Sequence, residues 1–134
     1  MNARALALVV LGGLAAAGCA GNEGPVAGEL VVQLASPNGD DRAVLFRLGG
    51  AQSAVSAPSG SGYRVLVSPE AVGDTVRVLV IAPQGARLMA GSLVRVLVPD
   101  TRQVSAYSAR VVDVASVSYA QRAAGGYVLT VVSP

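Results

Sequence analysis

The chain of 134 residues contains no histidine, no lysine and no tryptophan, and it has a single cysteine and a single phenylalanine. Without histidine or a second thiol, Ser-His-Asp and Cys-His nucleophilic sites, histidine-ligated zinc and internal disulfides are excluded. Without lysine there is no side-chain amine nucleophile. These absences remove most enzyme classes, and we expect a noncatalytic protein that needs no metal and no cofactor.

Charge is scarce and evenly spread. Charged residues make up 13% of the chain, about half of the usual share of about 25%. All ten basic residues are arginines distributed along the sequence, and the net charge is +2. Because no basic cluster forms, a nucleic-acid partner is not expected. The hydrophobic content of 52% excludes a disordered chain, and the length fits one domain.

The first residues follow the order of a secretory signal. Arg4 precedes an apolar and small-residue run, Ala5 to Ala17, and Cys19 follows shortly after. The run is about 13 residues long, whereas a membrane-spanning helix needs about 20. The sequence therefore predicts a signal peptide over residues 1–18 rather than a permanent membrane span.

The junction Leu14-Ala15-Ala16-Ala17-Gly18-Cys19 resembles the lipobox of bacterial lipoproteins. In that family small residues precede a cysteine that receives a diacylglycerol and becomes the new N-terminus. The family usually has leucine three places before the cysteine, where this chain has Ala16. The resemblance implies acylation of Cys19, of the palmitate type, and anchoring in the membrane of a bacterial cell envelope. Ala20 after the cysteine resembles the class that is sorted to the outer membrane.

The alternative is a soluble secreted protein, cut by the ordinary signal peptidase after Ala15-Ala16-Ala17 or Gly18-Cys19-Ala20. The position of the only cysteine favours the lipoprotein, because a free thiol elsewhere in an exported protein would be a reactive liability.

The sequence after the signal segment predicts a short tether followed by β-strands. Gly, Pro, Asn and Glu over residues 19–28 predict a flexible tether, and residues 29–134 are expected to form one domain. Short valine-rich runs with period-two alternation, bounded by Gly, Pro, Asn and Ser, predict β-strands. They cover residues 29–35, 43–48, 63–68, 75–82, 92–98, 107–119 and 127–132, with a short edge strand at 53–57.

The alternation also predicts which side chains face the core. Val76, Val78, Val94 and Val96 are expected inside. A bulge near Val111 and Val112 is expected to bury both valines. Residues 120–126 form either a loop or a single helical turn, and the closing strand 127–132 is expected to pair inside a sheet.

Seven or eight short strands with regular turns predict an antiparallel β-sandwich, with a small barrel as the competing fold. The chain has 24 valines and one phenylalanine, which favours two valine-faced sheets about 10 Å apart over a ligand-holding barrel.

Residues 28–134 are similar in pattern to cohesin-like and immunoglobulin-like extracellular β-sandwich modules. The likeness lies in VVQLASPNGDDRAVLFRL, GDTVRVLVIA, GSLVRVLVPD and AGGYVLTVV. It implies an adhesion or scaffold role. The usual cohesin is longer, and no dockerin-contacting residue carries over.

Acidic residues supply the first candidate sites. The run Asn38-Gly39-Asp40-Asp41 offers hard oxygen ligands of the kind that calcium accepts. It departs from the EF-hand spacing, and a solvated hairpin turn is the preferred interpretation. Carboxylate pairs for glycoside chemistry are also conceivable, namely Glu70 with Asp74 and Asp100 with Asp113.

Arginines and tyrosines supply the remaining candidates. The outward residues Arg47, Arg64, Arg77 and Arg95 would line one basic stripe on a sheet for lipid headgroups or polysaccharide, or simply solubilise the surface. The four tyrosines are read as caps at strand ends: Tyr63, Tyr107, Tyr119 and Tyr127.

Two functions follow. The first is an envelope lipoprotein whose sandwich acts as a protein-interaction, adhesion or structural module, with an envelope protein as partner. The alternative is a module that binds a glycan or another envelope component. An exposed apolar patch or a long edge strand would favour the first, and a concave groove lined by Arg, Tyr and Asp would favour the second.

Overall fold

A computed structural model describes residues 24–70 and 73–134, which form nine β-strands. A short 3-10 turn at Val104–Ala106 precedes the seventh strand. In chain order the strands are β1 Gly28–Ala35, β2 Asp41–Gly49, β3 Ala54–Ser56, β4 Arg64–Pro69, β5 Val76–Ile81, β6 Gly91–Val98, β7 Ser108–Ser116, β8 Gln121–Arg122 and β9 Val128–Val132.

The strands form two packed antiparallel sheets, of order β3-β6-β1-β9 and β4-β5-β2-β7-β8. Each sheet has open edges, so the predicted β-sandwich is confirmed and the closed barrel is not formed. Consecutive strands often change sheet, as β1 and β2 do, because each sheet can bury its apolar face only against the other.

The core consists of the inward side chains of both sheets. Alternation places them at every second position, as predicted. Val78, Val94 and Val96 are at most 1% exposed, whereas Val76 is only partly buried at the end of its strand. The largest fully buried side chains include Phe46, Leu30, Leu48, Leu93, Val32, Val44, Val80 and Val114.

Register shifts interrupt the alternation in three places. In β2, Arg42 is the extra residue opposite β7. In β6, Leu93 is the extra residue opposite β1, and both it and Val94 are fully buried. In β7, Val112 is the extra residue opposite β2, close to the predicted position. Val111 is buried but Val112 is 42% exposed. The expectation that both valines are buried is wrong, because no part of the described chain packs over the side of the sheet on which Val112 lies.

The edges of the sheets differ from expectation as well. Strand β9 pairs with β1 alone in the described residues, so it is an edge strand rather than an interior one. The segment 120–126 forms the two-residue strand β8 on Val114 and Ala115, and no helical turn. Strand β4 is the other long edge, and its position leaves Leu66 and Val67 more than 40% exposed.

The two ends of the sandwich are distinct. Strand β1 starts beside the end of β6, where Gly28 pairs with Val98, and finishes beside Gly91. We call the end where β1 starts the proximal end. The opposite end, formed by the connections 36–40, 57–63, 82–90 and 117–120, is the distal end. The antiparallel pairing brings these four connections together.

Candidate functional site

The predicted lipidation site, Cys19, and the signal segment 1–18 lie outside the described residues. From Gly24 onward the chain is bonded to the proximal end. The backbone N–H of Thr101 donates to the carbonyl of Val26 at 2.8 Å, and Arg102 donates to the carbonyl of Gly24 at 2.8 Å. The described part of the predicted tether is thus fixed to the domain, and its last residue already belongs to β1.

The acidic turn is neither a hairpin nor fully solvated. It connects strands of different sheets, and Asp41 is 1% exposed. Asp41 accepts hydrogen bonds from the hydroxyl of Ser36 and, at 2.7 Å, from that of Tyr127. Burial raises the pKa of Tyr127, and its bond to Asp41 adds to this rise. The interpretation as a solvated turn is therefore wrong for Asp41, because Tyr127, in the connection just before β9, binds it in the buried interior.

The neighbouring carboxylate, that of Asp40, binds a different side chain, Arg122. Nη2 of Arg122 lies 2.8 and 2.6 Å from its two oxygens. The two acidic side chains of the turn therefore do not share one ligand position. Across the described ranges no group of three or more Asp, Glu, Cys or His side chains could hold a metal ion.

Three of the four carboxylates considered for acid–base chemistry, those of Glu70, Asp100 and Asp113, are held by basic or amide side chains. Oε1 of Glu70 accepts from Nε of Arg77 at 2.8 Å and from Nε of Arg47 at 2.9 Å. The bond from Arg77, reinforced by Arg47, lowers the pKa of Glu70 against the opposing effect of burial. Asp74 belongs to the same β4–β5 connection.

Asp100 and Asp113 belong to separate networks. The hydrogen bond from Arg102 lowers the pKa of Asp100 to about 2, although burial acts in the opposite direction. Asp113 lies on β7, where it accepts from the amide of Gln121 at 3.0 and 3.1 Å. The structure shows no shared geometry for a glycosidase pair among these residues.

The expected arginine stripe is only partly formed. Arg47 lies directly opposite Arg77 on one side and Arg110 on the other, so these three form a row across the five-stranded sheet. Like charges opposite each other repel, and Glu70 relieves this by bridging two of them. Arg64 lies at the start of β4, opposite Ile81, which is away from this row. Arg95 lies on β6, in the four-stranded sheet. The stripe of four residues is therefore not present.

An open cleft of about 730 Å³ lies at the distal end, and we call it the distal cleft. All four distal connections contribute to it, together with the start of β2. Its lining consists of Asp40, Arg42, Gly60, Ser61, Tyr63, Gly85, Ala86, Arg87, Met89 and Val117. Its volume lies within the range of about 300–1,000 Å³ typical of ligand pockets.

One wall of the distal cleft is the connection 82–90. It begins with a turn in which Ala86 donates to the carbonyl of Pro83 at 2.9 Å, and Gly85 supplies the positive φ of 79° that the turn requires. Leu88 is buried in the core, and its backbone N–H donates to the backbone carbonyl of Asp41 at 2.7 Å. Burial of Leu88 leaves the side chains on either side of it, Arg87 and Met89, exposed at the cleft.

Tyr63 and Arg42 complete the cleft. The hydroxyl of Tyr63 accepts from the backbone N–H of Met89 at 2.9 Å, which ties the connection 57–63 to the connection 82–90. Nη1 of Arg42 donates to the hydroxyl of Tyr119 at 2.6 Å, and its guanidinium carbon lies 5.2 Å from the centre of that ring. This contact holds the Arg42 head group in place without neutralising its charge.

The tyrosines lie near strand ends, as expected, with separate roles. Tyr127 belongs to the buried network of Asp41, and the hydroxyl of Tyr107 donates to the carbonyl of Ala51. Tyr119 is 75% exposed. Among the cleft residues, Asp40 and Tyr63 are candidates from the sequence, whereas Arg42, Arg87 and Met89 are not.

The local sequence contains one signal for the cleft residues that were not predicted. A turn around Gly85 followed by the apolar Leu88 places the flanking Arg87 and Met89 on the surface. The association of that wall with Asp40 and Val117 depends on tertiary structure.

No helix in the described ranges is long and apolar enough to cross a membrane. No protein-family model, curated protein or solved structure matches the chain. The similarity to lipoproteins and to cohesin-like modules therefore stays a prediction from sequence.

Proposed function

We propose that this protein is a noncatalytic lipoprotein of the bacterial cell envelope, anchored through Cys19, whose β-sandwich binds a partner protein at the distal cleft. The observation that carries the proposal is the placement of the cleft at the end opposite the N-terminal segment. The described chain enters at the proximal end, where Val26 and Gly24 are bonded to the loop after β6.

An anchor at Cys19 would place the membrane on the proximal side. Each buried CH₂ of an acyl chain contributes about 0.8 kcal/mol, so two or three chains anchor a protein far more firmly than one. The distal cleft would then face away from the lipid, towards proteins in the surrounding compartment. A lipid surface is therefore not its proposed partner.

The noncatalytic part of the proposal rests on how the carboxylates are used. Asp40, Asp41, Glu70, Asp100 and Asp113 each accept a hydrogen bond from an arginine, tyrosine or glutamine side chain. The bonds from arginine lower the pKa of Glu70 and that of Asp100, and a carboxylate with a lowered pKa is a poor general base. With no histidine, lysine or spare thiol in the sequence, an adhesion or scaffold role is the simpler proposal.

The second candidate is a module that binds a glycan or another envelope component. The concave lining with Arg42, Arg87, Tyr63 and Asp40 favours it. The first candidate has a further surface in its support, because the edge strand β4 exposes Leu66 and Val67. Exposed apolar groups on an edge strand are suited to pairing with another chain.

Anchoring is tested by fractionation and intact mass. We expect the wild-type protein to sediment with membranes and to carry added acyl chains on residue 19. Cys19→Ala should move to the soluble exported fraction. An unmodified N-terminus at Gly18 or Gly21 in the wild-type protein would refute the anchor.

Partner binding is tested by site-specific photo-crosslinking in cells. A photoreactive residue at Met89, which lines the distal cleft, should give a discrete adduct with one envelope protein. The matched control carries the photoreactive residue at Gln33, which is exposed on β1 of the four-stranded sheet. The adduct should weaken when Arg87→Gln is added. Equal adducts from both positions would contradict the proposed surface.

A further inference from the structure

Two arginines of the distal cleft have no acidic partner. Five other arginines are paired with carboxylates, namely Arg47, Arg77, Arg95, Arg102 and Arg122, whereas Arg64 and Arg110 form no ion pair among the described residues. Within the described part of the chain, no carboxylate lies within ion-pairing distance of Arg42 or Arg87. Arg64 and Arg110 lie on separate strands, whereas Arg42 and Arg87 both line the distal cleft and concentrate positive charge there.

The only acidic side chain in the lining does not offset them. Asp40 is already neutralised by Arg122, whose Nη2 lies 2.6 Å from its nearer oxygen. With this pair counted as neutral, Arg42 and Arg87 leave the cleft with a net charge of +2, one from each residue. A carboxylate of a ligand is the natural counterion, since the planar fork of arginine matches it with two parallel hydrogen bonds.

Apart from the hydroxyls of Ser61 and Tyr63, the rest of the lining has no hydrogen-bonding side chain. Met89 is 59% exposed and Val117 is 43% exposed, although both are large hydrophobic residues. The flexible thioether of methionine adapts to apolar partners of different shape. No Asn, Gln or Trp side chain lines the cleft, and its one aliphatic hydroxyl is that of Ser61. A saccharide would find few partners here for its ring hydroxyls.

From this combination we propose that the distal cleft binds an acidic segment of a partner polypeptide, in which a carboxylate side chain lies beside an apolar one. Arg42 and Arg87 pair with the carboxylates, and Met89 and Val117 cover the apolar side chain. This inference rests on the proposed protein-interaction function and identifies the class of partner. It makes Arg42 and Arg87 the binding residues.

The test is a titration of the purified full chain in neutral detergent micelles, followed by NMR of backbone amides and arginine Nε–H groups. The probe is a capped hexapeptide in which aspartate alternates with leucine. A peptide with lysine in place of aspartate controls for charge. Oligogalacturonate, which is anionic but lacks apolar side chains, represents acidic glycans.

We expect the acidic peptide to shift the amides of Gly60, Gly85 and Met89, and the lysine peptide to leave them unchanged. Arg87→Gln should weaken binding about tenfold, since a charge-assisted hydrogen bond is lost. Arg110→Gln removes the same charge from an exposed site on β7, and it should change the Kd by less than about twofold. Higher salt should weaken binding of the wild-type protein.

Several results would overturn the inference. Equal binding of the lysine peptide would remove the role of charge. Tighter binding of oligogalacturonate at the same amides would make the cleft a glycan site and support the second candidate function. Unshifted cleft amides with every probe would show that the cleft does not bind acidic groups. Membrane anchoring is judged separately by Cys19→Ala, so failure of one proposal is distinguishable from failure of the other.

Discussion

The buried hydrogen bond between Tyr127 and Asp41 should be essential to the stability of the distal end. Tyr127→Phe removes one hydroxyl and leaves the ring in place. That hydroxyl donates to Oδ1 of Asp41 at 2.7 Å and accepts from Nδ2 of Asn38 at 2.8 Å. Because Asp41 is 1% exposed, water cannot replace the lost donor without opening the fold.

The expected magnitude follows from the partners. A hydrogen bond to a charged group contributes about 1.5–3 kcal/mol, and a buried acceptor that loses its donor carries the desolvation cost. We expect Tyr127→Phe to lower the free energy of unfolding by about 2–3 kcal/mol. With a urea m value of about 1–1.5 kcal/mol/M for a domain of this size, the unfolding midpoint falls by about 2 M.

The assay is urea denaturation with Tyr119→Phe as the matched control. Tyr119 also has a hydrogen-bonded hydroxyl, but it is 75% exposed, so its loss should cost within about 0.5 kcal/mol. A double-mutant cycle with Asp41→Asn should give a coupling energy of about 1 kcal/mol or more. Equal midpoints for the two tyrosine variants, or no coupling with Asp41, would refute the reasoning.

The same contact predicts an alkaline effect. Burial and the bond to Asp41 raise the pKa of Tyr127 above its ordinary value of 10.0. The stabilisation is therefore fully present below about pH 10 and is lost as the pH rises through the higher pKa of the folded state. Tyr127→Phe should lack this part of the alkaline loss of stability.

Three further predictions concern the core, the close contact between Gly50 and Tyr107, and the proximal end. Val78→Ala should cost about 2–3 kcal/mol in urea denaturation, because the side chain is fully buried, while the exposed Arg77→Gln should cost within about 0.5 kcal/mol. Gly50→Ala should lower stability by about 1–3 kcal/mol, since Gly50 has a φ of 116° and a Cβ there would lie 2.4 Å from the ring of Tyr107; an unchanged melting temperature would contradict this contact. The lowered pKa of Asp100, about 2 against an ordinary 3.8, means that its stabilisation is present above about pH 4 and is lost as the pH falls towards 2; melts from pH 2 to 5 should show this dependence in the wild-type protein and not in Asp100→Asn.

The local sequence pattern was sufficient to predict the positions of the strands and most of the core residues. Period-two alternation in β1 placed Leu30, Val32 and Leu34 on one face, and all three are buried. Predicted and observed strand ends differ by one or two residues for most strands. The arginine-bearing cleft was not predicted, since its residues come from connections that are far apart in sequence and carry no shared motif.

What the sequence by itself determined is the strand content, the inward face of each long strand and the absence of histidine, lysine and thiol chemistry. These depend on alternation and composition, which each short segment carries on its own. Only the tertiary structure decided that Asp41 is buried, because its partner Tyr127 lies 86 positions away. It likewise decided that β4 and β9 are edges, which leaves Val67 exposed despite its inward register. Strand order and the meeting of loops depend on competition among all the strands for partners, and no single segment contains that information.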